Sequence, residues 1–110
     1  MVLDETVFEK FYKEVLNEYG HSFPILPGIR VPSSSKQLKR MKDKFGIRVS
    51  KKLMKEMIAA EEAGKNPKEI GIRWAVEFTQ FVRKLGIRGV HFFIMNDVES
   101  AILVKKRLSF

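Results

Sequence analysis

The sequence predicts an α/β fold built from parallel strand–helix units. Two short apolar runs, at 23–27 and 90–95, read as strands, and five amphipathic segments surround them. The resulting order is helix, strand, helix, helix, helix, strand, helix, and such alternation favours parallel pairing. The second run, Val90-His91-Phe92-Phe93-Ile94-Met95, is continuously apolar. That is the pattern of a strand buried on both faces of a parallel sheet.

Each element follows from local signals. Asp4 caps a first helix running to about Tyr19, with Val7, Phe8, Phe11, Tyr12, Val15, Leu16 and Tyr19 recurring every three or four residues and Gly20 at the stop. Phe23-Pro24-Ile25-Leu26-Pro27 is too short for a helix, and its prolines suit only a short, interrupted ladder, so it reads as a short strand. Residues 28–35 read as a loop whose serines cap a second helix, which turns Leu38, Met41 and Phe45 to one face and ends at Gly46. Ser50 caps a third helix, with Leu53, Met54, Met57 and Ile58 inward and Gly64 after it. Asn66-Pro67 is a cap followed by proline at the first helical position. From there Ile70, Trp74, Phe78, Phe81, Val82 and Leu85 form a long apolar face that stops at Gly86. Asn96-Asp97 turns the second strand directly into a last helix over 98–108. The tripeptide Gly-Ile-Arg occurs at 28–30, 46–48, 71–73 and 86–88, at unequal spacings that exclude a solenoid repeat.

Composition narrows the class. The 110 residues supply one domain at most, and 45% apolar with 31% charged residues describes a globular chain rather than a disordered one. The absence of cysteine excludes disulfides, thiolate nucleophiles and Cys-type zinc sites together. No apolar run approaches the ~20 residues of a membrane span. Asp4, Glu5 and Glu9 argue against a secretory leader, and the expected setting is cytoplasmic. The net charge of +8 is local: residues 36–55 hold nine basic side chains against Asp43 alone, and the remainder balances. A solvated helix face and the attraction of a polyanion both account for it.

Other candidate groups have simple structural readings. His91 sits in an apolar strand with no second histidine or acidic cluster nearby, which favours a core role over a metal or proton-transfer role. Glu61 and Glu62 diverge by about 100° on a helix, so they read as a solvated helix end rather than an acid/base pair. Trp74 and Phe78, one turn apart, read as core. No Gly-rich phosphate loop is present. Two strands alone leave two open edges, which calls for a companion, self-association or a larger fold.

Two segments then point to a family. Pro27-Gly28-Ile29-Arg30-Val31-Pro32-Ser33-Ser34-Ser35-Lys36-Gln37 resembles the loop and helix start after the seventh strand of methylenetetrahydrofolate reductases, which reads Pro-Gly-Ile, a short spacer, then Lys-Gln. Gly89-Val90-His91-Phe92-Phe93-Ile94-Met95-Asn96 resembles that family's eighth strand, with its Gly-x-His-Phe-aromatic-x-Leu/Met-Asn pattern. Asp4 matches the turn after the sixth strand, with Met1-Val2-Leu3 on that strand's tail. The resemblance covers nearly the whole chain but only the last third or so of the family's barrel.

The resemblance implies a partial TIM (β/α)8 barrel over residues 1–110: the helix after strand six, then strands seven and eight with their helices. It implies a part in a flavoenzyme that reduces 5,10-methylenetetrahydrofolate to 5-methyltetrahydrofolate, with FAD as cofactor and NADH or NADPH as reductant. In such barrels the site lies at the carboxyl ends of the strands, a face that here includes Arg30, Ser33 to Ser35, Gln37, Met95, Asn96 and Asp97. Carried over by position, Gln37 matches a folate-contacting glutamine, whose amide both donates to and accepts from a pterin edge. Met41 stands where better-known members place a stacking phenylalanine, Met95 at a pocket-lining Leu/Met position with Asn96 beside it, and Asp97 where several members have arginine. The family's proton-donating glutamate, near the first strand, and its flavin-contacting aspartate, near the fourth, have no counterpart here. A companion polypeptide or an upstream segment is therefore expected to supply the rest of the barrel. Lys36, Lys39 and Arg40, next to Gln37, form a patch suited to the acidic tail of a folate. The rival reading is a non-catalytic basic module binding an anionic partner such as RNA. Against nucleic acid, the basic run lacks the interleaved aromatics of a stacking surface.

Overall fold

The computed structural model describes residues 1–22, 25–93 and 97–108. Among these, five helices surround a two-stranded parallel sheet, a mostly helical form of the α/β class.

The helices begin where their capping residues stand. Helix α1 (Glu5–Tyr19) starts at Asp4, whose Oδ1 accepts the Thr6 N–H at 2.9 Å and the Val7 N–H at 3.3 Å. Helix α2 (Ser35–Phe45) starts at Ser34 and stops at Gly46, whose φ of 64° is the left-handed conformation that glycine adopts without strain. Helix α3 (Lys51–Glu62) is capped by the buried Ser50, and α4 (Pro67–Lys84) by Asn66, whose side chain accepts the Lys68 N–H at 3.0 Å. Helix α5 (Val98–Arg107) starts at Asp97. No helix among the described residues is long and apolar enough to cross a membrane.

Strands β1 (Gly28–Ile29) and β2 (His91–Phe92) pair in parallel, Gly28 opposite His91 and Ile29 opposite Phe92. The first strand thus lies in the segment expected to be loop, not at 23–27. Of that expected strand, Phe23 and Pro24 lie outside the described residues, and Ile25 to Pro27 carry no strand pairing. The reason is donor chemistry: Pro27 has no N–H, so the ladder begins after it, although its carbonyl still accepts the His91 N–H at 2.8 Å. The second strand is also shorter than expected, and Ile94 and Met95 lie outside the described residues. His91 and Phe93 are exposed and Phe92 is half-buried, so the predicted two-sided burial does not occur in this chain. Two-sided burial needs elements packed on both faces of a sheet, and the described residues do not cover His91 and Phe93. The other edge of the sheet is better protected. The Val2 N–H donates to the Gly28 carbonyl at 2.7 Å, Leu3 forms a parallel bridge with Val49, and the Ser50 N–H donates to the Leu3 carbonyl at 2.9 Å.

Helix α4 is the centre of the core, packed between α3 and α5. Phe78, only 2% exposed, takes the Trp74 ring stacked at 5.2 Å and the Phe8 ring edge-on at 5.7 Å, confirming the core reading of the Trp74–Phe78 pair. The Trp74 Nε1–H is satisfied by Glu5 Oε2 at 3.2 Å. Gly71 lets α4 approach the chain leaving β1 so closely that a Cβ there would lie 1.7 Å from the Pro32 carbonyl oxygen. Two expected core positions are not core: Phe45, in the last turn of α2, is 71% exposed, and Ile58 faces outward while Ala60 packs inward. A helix end beyond its packing partner has nothing to bury against, whatever its periodicity.

Candidate functional site

Directly beyond the carboxyl ends of both strands lies a cleft of about 240 Å³. Arg30, Val31 and Ser33, which follow β1, form one side, and Phe92 and Phe93 of and after β2 form the other. Gln37 enters from the first turn of α2, Lys68 from the first turn of α4, and Asp97 with Ala101 from the start of α5. Three helix amino ends thus converge on it, each adding positive potential.

The polar side chains are held by local caps. The Gln37 N–H donates to Ser34 Oγ at 3.1 Å, while Gln37 Oε1 accepts the Ser33 N–H at 2.9 Å. This reciprocal arrangement resembles a capping box displaced by one residue. It occupies the amide oxygen of Gln37 and leaves its NH2 as the group to donate to a ligand. Asp97 accepts the Ser100 N–H at 3.2 Å on Oδ1 and the Ser100 hydroxyl at 2.6 Å on Oδ2, and Lys68 Nζ lies 3.7 Å from Oδ2. The Ser100 hydroxyl, then its N–H and the charge of Lys68, hold the Asp97 carboxyl below the usual carboxylate range against the opposing effect of partial burial.

A family model described as methylenetetrahydrofolate reductase matches residues 1–109. The chain belongs to the methylenetetrahydrofolate reductase family. Membership points to an oxidoreductase. No curated protein matches the sequence.

Of the positions carried over from methylenetetrahydrofolate reductases, Gln37 and Asp97 meet in the cleft although sixty residues separate them. Met41 does not join them. It is 5% exposed and belongs to the hydrophobic core, because the stripe it shares with Leu38 turns inward. Met95 and Asn96 lie outside the described residues. Lys36, Lys39 and Arg40 are exposed on α2 and do not line the cleft.

Sequence reasoning missed three features. Lys68 is one; its signal was the Asn66-Pro67 start, but nothing in the sequence said where that start lies. Glu61 is another. At the exposed end of α3, as expected, its carboxylate also accepts the Ser35 N–H at 3.2 Å and the Ser35 hydroxyl, tying the end of α3 to the start of α2. The third is His91, exposed with the Phe93 ring edge-on at 4.7 Å instead of in the core.

The cleft by itself does not enclose a flavin dinucleotide, being smaller than the roughly 300–1,000 Å³ of pockets that hold drug-sized ligands. Among the described residues there is no His/Asp/Glu cluster able to hold a metal ion.

Proposed function

We propose that this chain forms part of the folate-binding wall of an enzyme of the methylenetetrahydrofolate reductase type, one that reduces 5,10-methylenetetrahydrofolate to 5-methyltetrahydrofolate. The observation that carries this reading is the meeting of Gln37, from one family motif, with Phe92 and Phe93, from the other, in one cleft at the carboxyl ends of parallel strands. The proposed architecture is the last part of a (β/α)8 barrel, formed by residues 1–110 as a single segment. The hydrogen bond from Val2 to Gly28 and the register of Gly28 with His91 support this, since they set the proposed strand six, seven and eight positions side by side.

In this role Gln37 donates its amide N–H2 to an acceptor of the folate. Its fixed oxygen prevents the amide from flipping, so the donor direction is set before ligand arrives. Phe92, Phe93 and Val31 supply apolar wall against the ring system. Flavin, reductant and the remaining strands belong to a companion polypeptide or an upstream segment.

A nuclear magnetic resonance titration of the chain with 5-methyltetrahydrofolate tests the reading. Shifts centred on Gln37, Lys68 and Phe92, weakened about tenfold in Gln37→Ala, are expected. Absence of binding, or shifts confined elsewhere, would refute it. Turnover of methylenetetrahydrofolate by the purified chain with FAD and NADH would refute the need for a companion.

A further inference from the structure

We propose that Arg30 and Lys68 together form a carboxylate-binding subsite within this cleft. The structure brings two cations from different elements to the cleft. Arg30 follows β1 and Lys68 opens α4, and both line the cleft. Arg30 has no carboxylate partner among the described residues. Its guanidinium offers a planar fork that matches a carboxylate with two parallel hydrogen bonds.

Lys68 faces Asp97, yet that carboxylate already accepts two hydrogen bonds from Ser100, and the 3.7 Å separation exceeds the usual range of a charge-assisted hydrogen bond. The ammonium therefore keeps donors for a ligand while Asp97 holds it over the cleft. Arg30 and Lys68 stand on different elements, so each can meet one singly charged carboxylate, whereas a phosphate concentrates its charge at one point, where Asp97 repels it. The walls specify the rest of the ligand: Phe92, Phe93, Val31 and Ala101 suit an aromatic or aliphatic body, and about 240 Å³ admits a fragment rather than a whole cofactor. The class is a small carboxylic acid carried on an aromatic or aliphatic body. Identifying it with the amino-acid end of a folate rests on the proposed function above.

The experiment titrates the full chain with N-(4-aminobenzoyl)-L-glutamate and, as the control lacking carboxylates, 4-aminobenzamide. Expected is binding of the glutamate compound about tenfold or more tighter than the amide, weakened about tenfold in Arg30→Gln and in Lys68→Gln, with amide binding unchanged. Because both side chains are partly or fully exposed, the variants should keep the parent circular dichroism. Salt provides a check without any variant: raising it to about 0.5 M should erase most of the preference for the glutamate compound. No binding of the glutamate compound, equal binding of the two probes, or loss-free variants would overturn the subsite. A parallel titration with 5-methyltetrahydrofolate separates the two proposals. Binding of the glutamate compound through Arg30 and Lys68 without folate binding sinks the folate reading alone. Folate binding indifferent to both substitutions sinks the subsite alone.

Discussion

Helices α1 and α4 have the same apolar periodicity and opposite fates. On α4 Trp74, Phe78 and Val82 of the stripe are buried and Ile70, Phe81 and Leu85 half-buried, and residues beside it, Ile72, Ala75 and Thr79, are buried as well. On α1 only Phe8 and Tyr12 are buried, while Val7, Phe11 and Tyr19 are exposed. The difference is position. Helix α4 lies between α3 and α5, whereas α1 meets the core along one narrow line, through Phe8 on Phe78 and the Tyr12 hydroxyl on the Leu85 carbonyl at 3.3 Å. Amphipathicity therefore reports what a helix is able to bury, and neighbours decide what it does bury.

Substitutions along the two helices should separate sharply, and the largest effects belong to α4. Phe78→Ala should cost about 3–5 kcal/mol, since it removes the ring on which Trp74 and Phe8 both pack. Chemical denaturation measures it; a loss under about 1 kcal/mol would deny α4 its central place. Next comes Gly71→Ala, where the added methyl would collide with backbone rather than with a movable side chain. About 3 kcal/mol of destabilisation is expected, read from the same transition. An unchanged midpoint would mean that α4 does not touch the chain after β1.

A smaller effect is expected at the cleft. The folded pKa of Asp97 lies below its ordinary value of 3.8, so its contribution is fully present above that value and is lost as acid takes the pH through the lowered one. Asp97→Asn should flatten this acid limb, and Asp97→Ala should further remove a helix cap worth about 1 kcal/mol. Denaturation midpoints followed from pH 7 down to acid would show both. Last, Phe11→Ser on α1 should cost only about 1 kcal/mol, because a side chain 54% exposed has less than half of its area to lose. A cost of several kcal/mol would show that α1 is covered in solution.

The same contrast explains what could be read in advance. Caps at Asp4, Ser34, Ser50, Asn66 and Asp97, and the glycines after α1 and α2, were legible because each acts through neighbours a few residues away. The strands were less so: Pro27 shifted the first ladder to Gly28, and burial of the second depends on what stands beside it. In the cleft, Gln37 was visible through a family motif, and Arg30 and Asp97 through their places at the carboxyl ends of the strands. Lys68 was not, since pairing it with Asp97 requires knowing where α4 begins in space.

The four Gly-Ile-Arg tripeptides mark the boundary between the two kinds of information. By itself the sequence determined that each isoleucine is apolar, each glycine permissive, and helices start at their caps. It also marked Gly46 and Gly86, both at positive φ, as helix stops, whereas tertiary structure decided that Gly28 opens a strand and that Gly71 sits inside a helix against the Pro32 carbonyl. Identical side chains meet different fates because burial and close approach are properties of pairs of segments, and only folding brings those pairs together.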